Sequence, residues 1–146
     1  MIKILVIHGP NLDLLGEREP NVYGKDTLEG INSLLQKEAK KNDIELKTFQ
    51  SNSEGDIVNC LGDNRKWAKG IIINPAAYTH TSVAIRDAVK ALNIPTVEVH
   101  LSNIYAREEF RHKSLIAPVA VATISGFGKQ SYVLALYGLL SLIKTL

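Results

Sequence analysis

Short runs of apolar and β-branched residues at Lys3–His8, Ile44–Gln50, Gly70–Asn74, Thr96–His100 and Val119–Ser125 alternate with helical patterns, and this alternation restricts the fold most. The helical patterns fall near Thr27–Asn42, Glu54–Lys69, Thr81–Asn93 and Lys129–Leu146. Parallel strands need a crossover between them, and a helix is the usual crossover. Strands alternating with helices therefore predict βαβ units and a parallel sheet. Within the first helix Leu28, Ile31, Leu35 and Ala39 make one apolar stripe, and Asp26 with Glu29 offers a capping box. Within the third, Ile85, Ala88, Val89 and Leu92 form the inward stripe, which leaves Arg86, Asp87 and Lys90 outward.

The strands differ in kind. Ile71–Ile73 is apolar throughout, as a central strand covered on both faces should be, whereas Ile44–Gln50 alternates and reads as an edge. Together these features predict an α/β fold: a flavodoxin-like, doubly wound, five-stranded parallel sheet of order 2-1-3-4-5 in three αβα layers. Residues 1–146 read as a single domain, since this length suits one core and no linker or repeat interrupts it. The last helix is apolar nearly all the way round, from Val133 and Leu134 to Leu142 and Ile143, so it is expected to pack against a second partner: another subunit is the economical candidate, a thick core within the chain the alternative.

A net charge of +2 with scattered lysines and arginines argues against a nucleic-acid partner. The run Tyr132–Ile143 is too short to span a bilayer, so no membrane association is expected. The one cysteine, Cys60, excludes a disulfide within the chain and suits a reducing compartment, which with the lack of a signal peptide predicts a cytoplasmic location. With Ile57 and Leu61 on the same helical face, Cys60 reads as a small core residue.

The connection from His8 to Gly24, HGPNLDLLGEREPNVYG, is too long for plain scaffold in a compact domain. Leu12, Leu14, Leu15, Val22 and Tyr23 would anchor it, and Gly9-Pro10-Asn11 would form its fixed floor. In a doubly wound sheet ligands bind beyond the carboxyl ends of the strands, where strand order reverses. That edge gathers His8 and Asn11 from strand one, Asn74 and His80 from strand three, and His100, Leu101, Ser102, Arg107 and Arg111 from strand four. Simpler roles compete for each. His8 reads as a core histidine, Asn74 as a strand-end residue before Pro75, and Arg107 and Arg111 as surface partners of Glu108 and Glu109.

Cofactor motifs fail on inspection. SGFGK at Ser125–Lys129 lacks the Gly and Ser/Thr of a phosphate loop, and no GxGxxG follows the first strand. The histidines lack paired ligand spacing, so neither metal nor any other cofactor is expected. What remains is acid–base chemistry. A tyrosine is a poor base near neutral pH unless cations depress its pKa; Arg18 on the same loop as Tyr23, with Arg107 as a second cation, would do so. A histidine on the strand-four edge would serve as the acid, which suits proton abstraction beside a carbonyl followed by loss of a leaving group.

GPNLDLLGEREPNVYG at Gly9–Gly24, QSNSEGDIV at Gln50–Val58, INPAAYTHTSVAIRDA at Ile73–Ala88 and VEVHLSNIYAREEFRHKSLIAPVA at Val97–Ala120, with GFG at Gly126, resemble the type II 3-dehydroquinate dehydratases. The resemblance implies a hydro-lyase. It would convert 3-dehydroquinate to 3-dehydroshikimate by trans elimination through an enolate, without a cofactor, in the shikimate pathway or in quinate breakdown. It implies Tyr23 as proton acceptor, Arg18 as transition-state stabiliser and His100 as proton donor. Asn74 would orient water or groups at the enolate, His80 and Arg111 would hold substrate hydroxyls, and the amides of Leu101 and Ser102 would take the carboxylate. Asn11 and Arg107 would support the site. Asp87 would reach a neighbouring subunit's site within a trimer, four trimers making a dodecamer. Asp13, Ser53 and Tyr105 depart from commoner family residues, and none of them is assigned to the chemistry. Rival readings on the same fold are a receiver-like signalling domain, which would want an aspartate where Asn74 stands, and a flavin-binding domain, which would want a Ser/Thr-rich loop after strand one.

Overall fold

The computed structural model describes residues 1–17, 19, 21 and 26–145. Its strands are β1 (Ile2–His8), β2 (Ile44–Gln50), β3 (Gly70–Asn74), β4 (Thr96–His100) and β5 (Ala122–Ser125). Its α-helices are α1 (Leu28–Lys41), α2 (Glu54–Asp63), α3 (Val83–Leu92) and α4 (Gln130–Lys144). All strand pairs are parallel and the order is β2-β1-β3-β4-β5, as expected from the alternating pattern. No described helix is long and apolar enough to cross a membrane.

Side-chain alternation along the strands builds two cores. Ile4, Val6, Ile72, Val97 and Val99 face α1 and α4, meeting Ile31, Leu35, Tyr132, Leu136 and Leu139. Leu5, Ile7, Ile71 and Ile73 face the opposite way onto Ile57 and Leu61 of α2 and Ile85 and Val89 of α3. Each such side chain taken fully out of water contributes about 1.5–3 kcal/mol, so β1 and β3, covered on both faces, are where the sheet is held most firmly.

Several boundaries differ from the sequence reading. Thr27, not Asp26, caps α1 by accepting from the Gly30 amide, while Asp26 pairs with Lys129 at 3.3 Å. Helix α2 stops at Asp63 because the Asn64 side chain turns back to the Cys60 carbonyl, so the Arg65–Lys69 stretch is not helical. Strand β5 begins at Ala122 rather than Val119: Pro118 lacks an N–H for the ladder and its neighbours Ala117–Val119 form a 3-10 turn. Arg86 is not outward-facing, since its guanidinium folds back to donate to the Leu115 carbonyl at 3.0 Å. Leu12 and Leu15 anchor the first loop, but Leu14 is 41% exposed and anchors nothing. Val22 and Tyr23, the other expected anchors, lie outside the described residues.

On α4, Tyr132, Ala135, Leu136, Leu139 and Leu140 are buried, whereas Leu134, Tyr137 and Leu142 are exposed. Tyr137 has polar company, donating to Glu38 at 2.6 Å and accepting from Asn42. Leu134 and Leu142 stand on the outward side of α4.

The ends of β1 and β3 lie so close that Gly9 cannot be exchanged for a larger residue. A Cβ there would sit 2.5 Å from the Pro75 carbonyl oxygen, a backbone atom with little room to retreat. Gly9→Ala is therefore expected to lower stability by about 1–3 kcal/mol, the usual cost of forcing atoms into filled space. Urea denaturation of the two proteins checks this.

Candidate functional site

The expected convergence occurs. A pocket beyond the carboxyl ends of the strands is lined by Asn11 from the first loop and by Asn74, Ala76 and His80 around the β3 exit. His100, Leu101, Ser102, Arg107 and Arg111 line it from β4 and the segment that follows. Asp87 does not join them: it lies exposed on α3. Arg18 and Tyr23, the proposed cation and base, lie outside the described residues.

The floor forms where β1 and β3 separate. The Gly9 amide donates to the Asn74 carbonyl at 2.7 Å, after which Asn11 takes a left-handed conformation with φ 67°. Asparagine tolerates this backbone better than most residues. Asn52, beyond the end of β2, accepts from the Asn11 amide at 2.9 Å, and Gln50 donates to the Gly9 carbonyl at 3.2 Å. Both supports come from the β2 edge.

His100 owes its geometry to a residue that sequence reasoning passed over. Glu98, two positions earlier on β4, points to the same side and is 1% exposed. It accepts from His100 Nε2–H at 2.5 Å, from Thr79 Oγ at 2.5 Å, and from Ser114 Oγ at 2.8 Å to Oε1 and 3.0 Å to Oε2. Burial pushes the Glu98 carboxyl up, but the hydrogen bond and charge of His100 with the Thr79 and Ser114 hydroxyls outweigh it and hold the group below the ordinary range. A buried carboxylate persists only when paired and hydrogen-bonded in this way. The spacing Glu-x-His on a continuously buried strand was the available signal, because a mid-strand acid there must have partners.

His80 donates through Nδ1–H to the Lys113 carbonyl at 2.8 Å, which in the neutral ring leaves Nε2 as an acceptor. Arg107 donates to Ser102 Oγ at 3.4 Å and lies 4.0 Å from Glu108. Arg111 pairs with the same Glu108 and stacks near the Phe110 ring. Glu108 is exposed, its carboxyl lowered chiefly by the Arg111 hydrogen bond. Beside the two guanidiniums, the amides of Leu101 and Ser102 donate to no backbone carbonyl among the described residues. Cations and unclaimed amides at one edge make a receptor for an anionic group. Among the described residues, no group of three His, Cys, Asp or Glu side chains is arranged to hold a metal ion.

His8 is a core residue, as its apolar neighbours suggested. Completely buried, it donates through Nε2–H to Asn32 at 2.8 Å and accepts at Nδ1 from the Tyr132 hydroxyl at 2.9 Å. Burial lowers its pKa from 6.5 to about 4, only partly countered by the Asn32 contact. The unfolded chain then takes up a proton below pH 6.5 that the folded chain refuses until about pH 4. Stability contributed by neutral His8 is thus full above pH 6.5 and is lost as pH falls towards 4, by about 3 kcal/mol in all. Denaturation midpoints at neutral pH and near pH 4.5 should differ less in His8→Asn, which cannot titrate, than in the parent chain.

A family model described as Dehydroquinase class II matches residues 2–140. The chain is 57% identical over 144 residues to the 3-dehydroquinate dehydratase of Trichodesmium erythraeum, covering 99% of this chain and 96% of the relative. It is 58% identical over 143 residues to the 3-dehydroquinate dehydratase of a Nostoc strain, covering 98% of this chain and 97% of the relative. Among solved structures, the type II dehydroquinase of Butyrivibrio crossotus superposes with a TM-score of 0.93 at 44% identity, over 94% of this chain and 97% of that one.

Proposed function

The chain belongs to the class II dehydroquinases and is a hydro-lyase acting on 3-dehydroquinate, and we propose from that premise which of its residues do the work. The product is 3-dehydroshikimate, formed by trans elimination through an enolate without a cofactor. The observation that carries the assignment of roles is the buried Glu98–His100 pair at the head of a pocket lined by cations and unclaimed amides.

The substrate proton beside the ketone is acidic because the carbanion delocalises onto the carbonyl oxygen. Tyr23, as tyrosinate, removes it, and the C–H electron pair moves into the enolate. Arg18 supplies the positive charge that keeps the tyrosinate accessible near neutral pH. As the enolate collapses back to the ketone, its electrons form the ring double bond and the hydroxyl on the next carbon leaves. That hydroxyl takes a proton from His100 and departs as water. With Nε2 engaged by Glu98, Nδ1 is the nitrogen that serves the leaving group. The carboxylate of Glu98 stabilises the imidazolium before transfer. A proton then returns through solvent from Tyr23 to His100.

Binding follows the same edge. The Leu101 and Ser102 amides take the substrate carboxylate, His80 and Arg111 hold ring hydroxyls, and Asn74 orients water or the enolate oxygen. Arg107 adds positive potential, and Asn11 completes the floor. Asp87 is exposed on α3 and in this reading would enter a neighbouring subunit's site. We read the assembly as a dodecamer built from four trimers, in keeping with the exposed Leu134 and Leu142 of α4. The one cysteine supports a cytoplasmic location, and the span of the family match supports reading residues 1–146 as one domain.

Enone absorbance during incubation with 3-dehydroquinate tests the reading. Turnover should survive EDTA and fall by about 10²–10⁴-fold in Tyr23→Phe and in His100→Ala, the usual contribution of a general base or acid. Arg18→Ala should lose most of kcat as well. Full activity in Tyr23→Phe would remove the assigned base. Separately, Asp87→Ala should weaken substrate binding or dissociate the assembly, read by KM and light scattering; a fully active monomer would contradict the shared site.

A further inference from the structure

The interior face of the floor carries a chain of polar side chains whose direction can be worked out from one end. The Ala76 amide donates to Asn74 Oδ1 at 3.1 Å, and a backbone N–H can face only an acceptor, so this side-chain atom is the oxygen. Asn74 Nδ2 must then be the atom facing Tyr132 Oη at 3.1 Å, and it donates. The Tyr132 O–H is thereby free to donate to His8 Nδ1 at 2.9 Å, which must be unprotonated. The remaining imidazole proton sits on Nε2 and meets Asn32 Oδ1 at 2.8 Å. Every bond agrees with one polarity, running from Ala76 through Asn74, Tyr132 and His8 to Asn32.

The chain ties four elements together at the switch point. His8 and Asn74 are register partners at the ends of β1 and β3, Tyr132 lies in the first turn of α4, and Asn32 belongs to α1. His8 and Tyr132 are fully buried and Asn74 is 3% exposed. The two bonds use one proton of the Asn74 amide nitrogen and one lone pair of its oxygen. One donor and one acceptor remain for a ligand in the pocket that Asn74 lines.

We infer that His8 and Tyr132 are positioning residues of the dehydration, acting through Asn74 by holding its amide in one orientation towards the enolate. This rests on the role proposed for Asn74. A phenol hydroxyl at the centre of an apolar core also keeps that orientation without water to compete for either bond. Burial raises the Tyr132 hydroxyl well above the ordinary tyrosine range, so it stays protonated as the polarity requires.

Steady-state kinetics with 3-dehydroquinate should show Tyr132→Phe lowering kcat by about tenfold to a hundredfold, the penalty for small misplacements. KM should move by less than about twofold, because the lost interaction matters in the transition state. Adding Tyr132→Phe to Asn74→Ala should cost nothing further. His8→Leu should mimic Tyr132→Phe, and His8→Asn, whose Oδ1 falls near the Nδ1 position, should recover most of the loss. Full kcat in Tyr132→Phe, or an independent loss on top of Asn74→Ala, would overturn the inference. Should Tyr132→Phe fail to fold by thermal melt, the His8 pair decides: equal kcat in the Leu and Asn variants overturns it. If the parent chain does not dehydrate 3-dehydroquinate, the functional reading fails, yet the relay is still testable. The Asn74 side-chain amide pair, assigned in NMR spectra by its absence from Asn74→Ala, should shift and exchange faster in His8→Leu. An unchanged pair would overturn the relay.

Discussion

Two parallel strands ending side by side, with the Gly9 amide bonded to the Asn74 carbonyl at 2.7 Å, set the floor on which the pocket is built. Neighbours on either side of this junction run to opposite halves of the sheet, so the chain opens a crevice there. The approach is close enough that only glycine fits at position 9. Asn11, Asn74 and His80 take their places from this junction, and β4 then brings His100, Leu101 and Ser102 to the same edge. Local backbone geometry and global topology agree on one location.

The second constraint is electrostatic. A carboxylate buried at Glu98 would be strongly unfavourable alone, and His100, Thr79 and Ser114 make it tolerable. In return the imidazole is held by one nitrogen, leaving the other for the proton transfer proposed for it. On the far side of β1 and β3 a neutral relay through His8 and Tyr132 braces Asn74. The acid is thus backed by a charge and the amide by uncharged hydrogen bonds. That division fits their proposed tasks, since proton donation needs a stabilised cation and orientation needs only direction.

Much of this was legible in the sequence because periodicity and topology speak together. Continuous apolarity at Ile71–Ile73 identified the central strand, and alternation at Ile44–Gln50 identified an edge. Strand order then placed Asn74, His80 and His100 together. What escaped depends on partners distant in sequence. Glu98 is intelligible only once Thr79 and Ser114 are seen to surround it, and His8 only once Tyr132, 124 positions away, is seen to meet it. Boundaries failed where one side chain overrode the pattern: Thr27 took the cap from Asp26, Asn64 closed α2, and Pro118 delayed β5. Leu14 failed because hydrophobicity alone does not say which way a loop side chain faces.

The proposed arrangement sets the acid, His100, at the fixed edge of β4 and the base, Tyr23 of the first loop, on the other face of the substrate ring. Two samples of 3-dehydroquinate, each carrying deuterium in one of the two positions on the carbon beside the ketone and adjacent to the departing hydroxyl, test it directly. Mass spectrometry of the 3-dehydroshikimate should show deuterium lost when it lay anti to that hydroxyl and kept when it lay on the same side. Loss of the label from the same side would contradict an acid and a base on opposite faces.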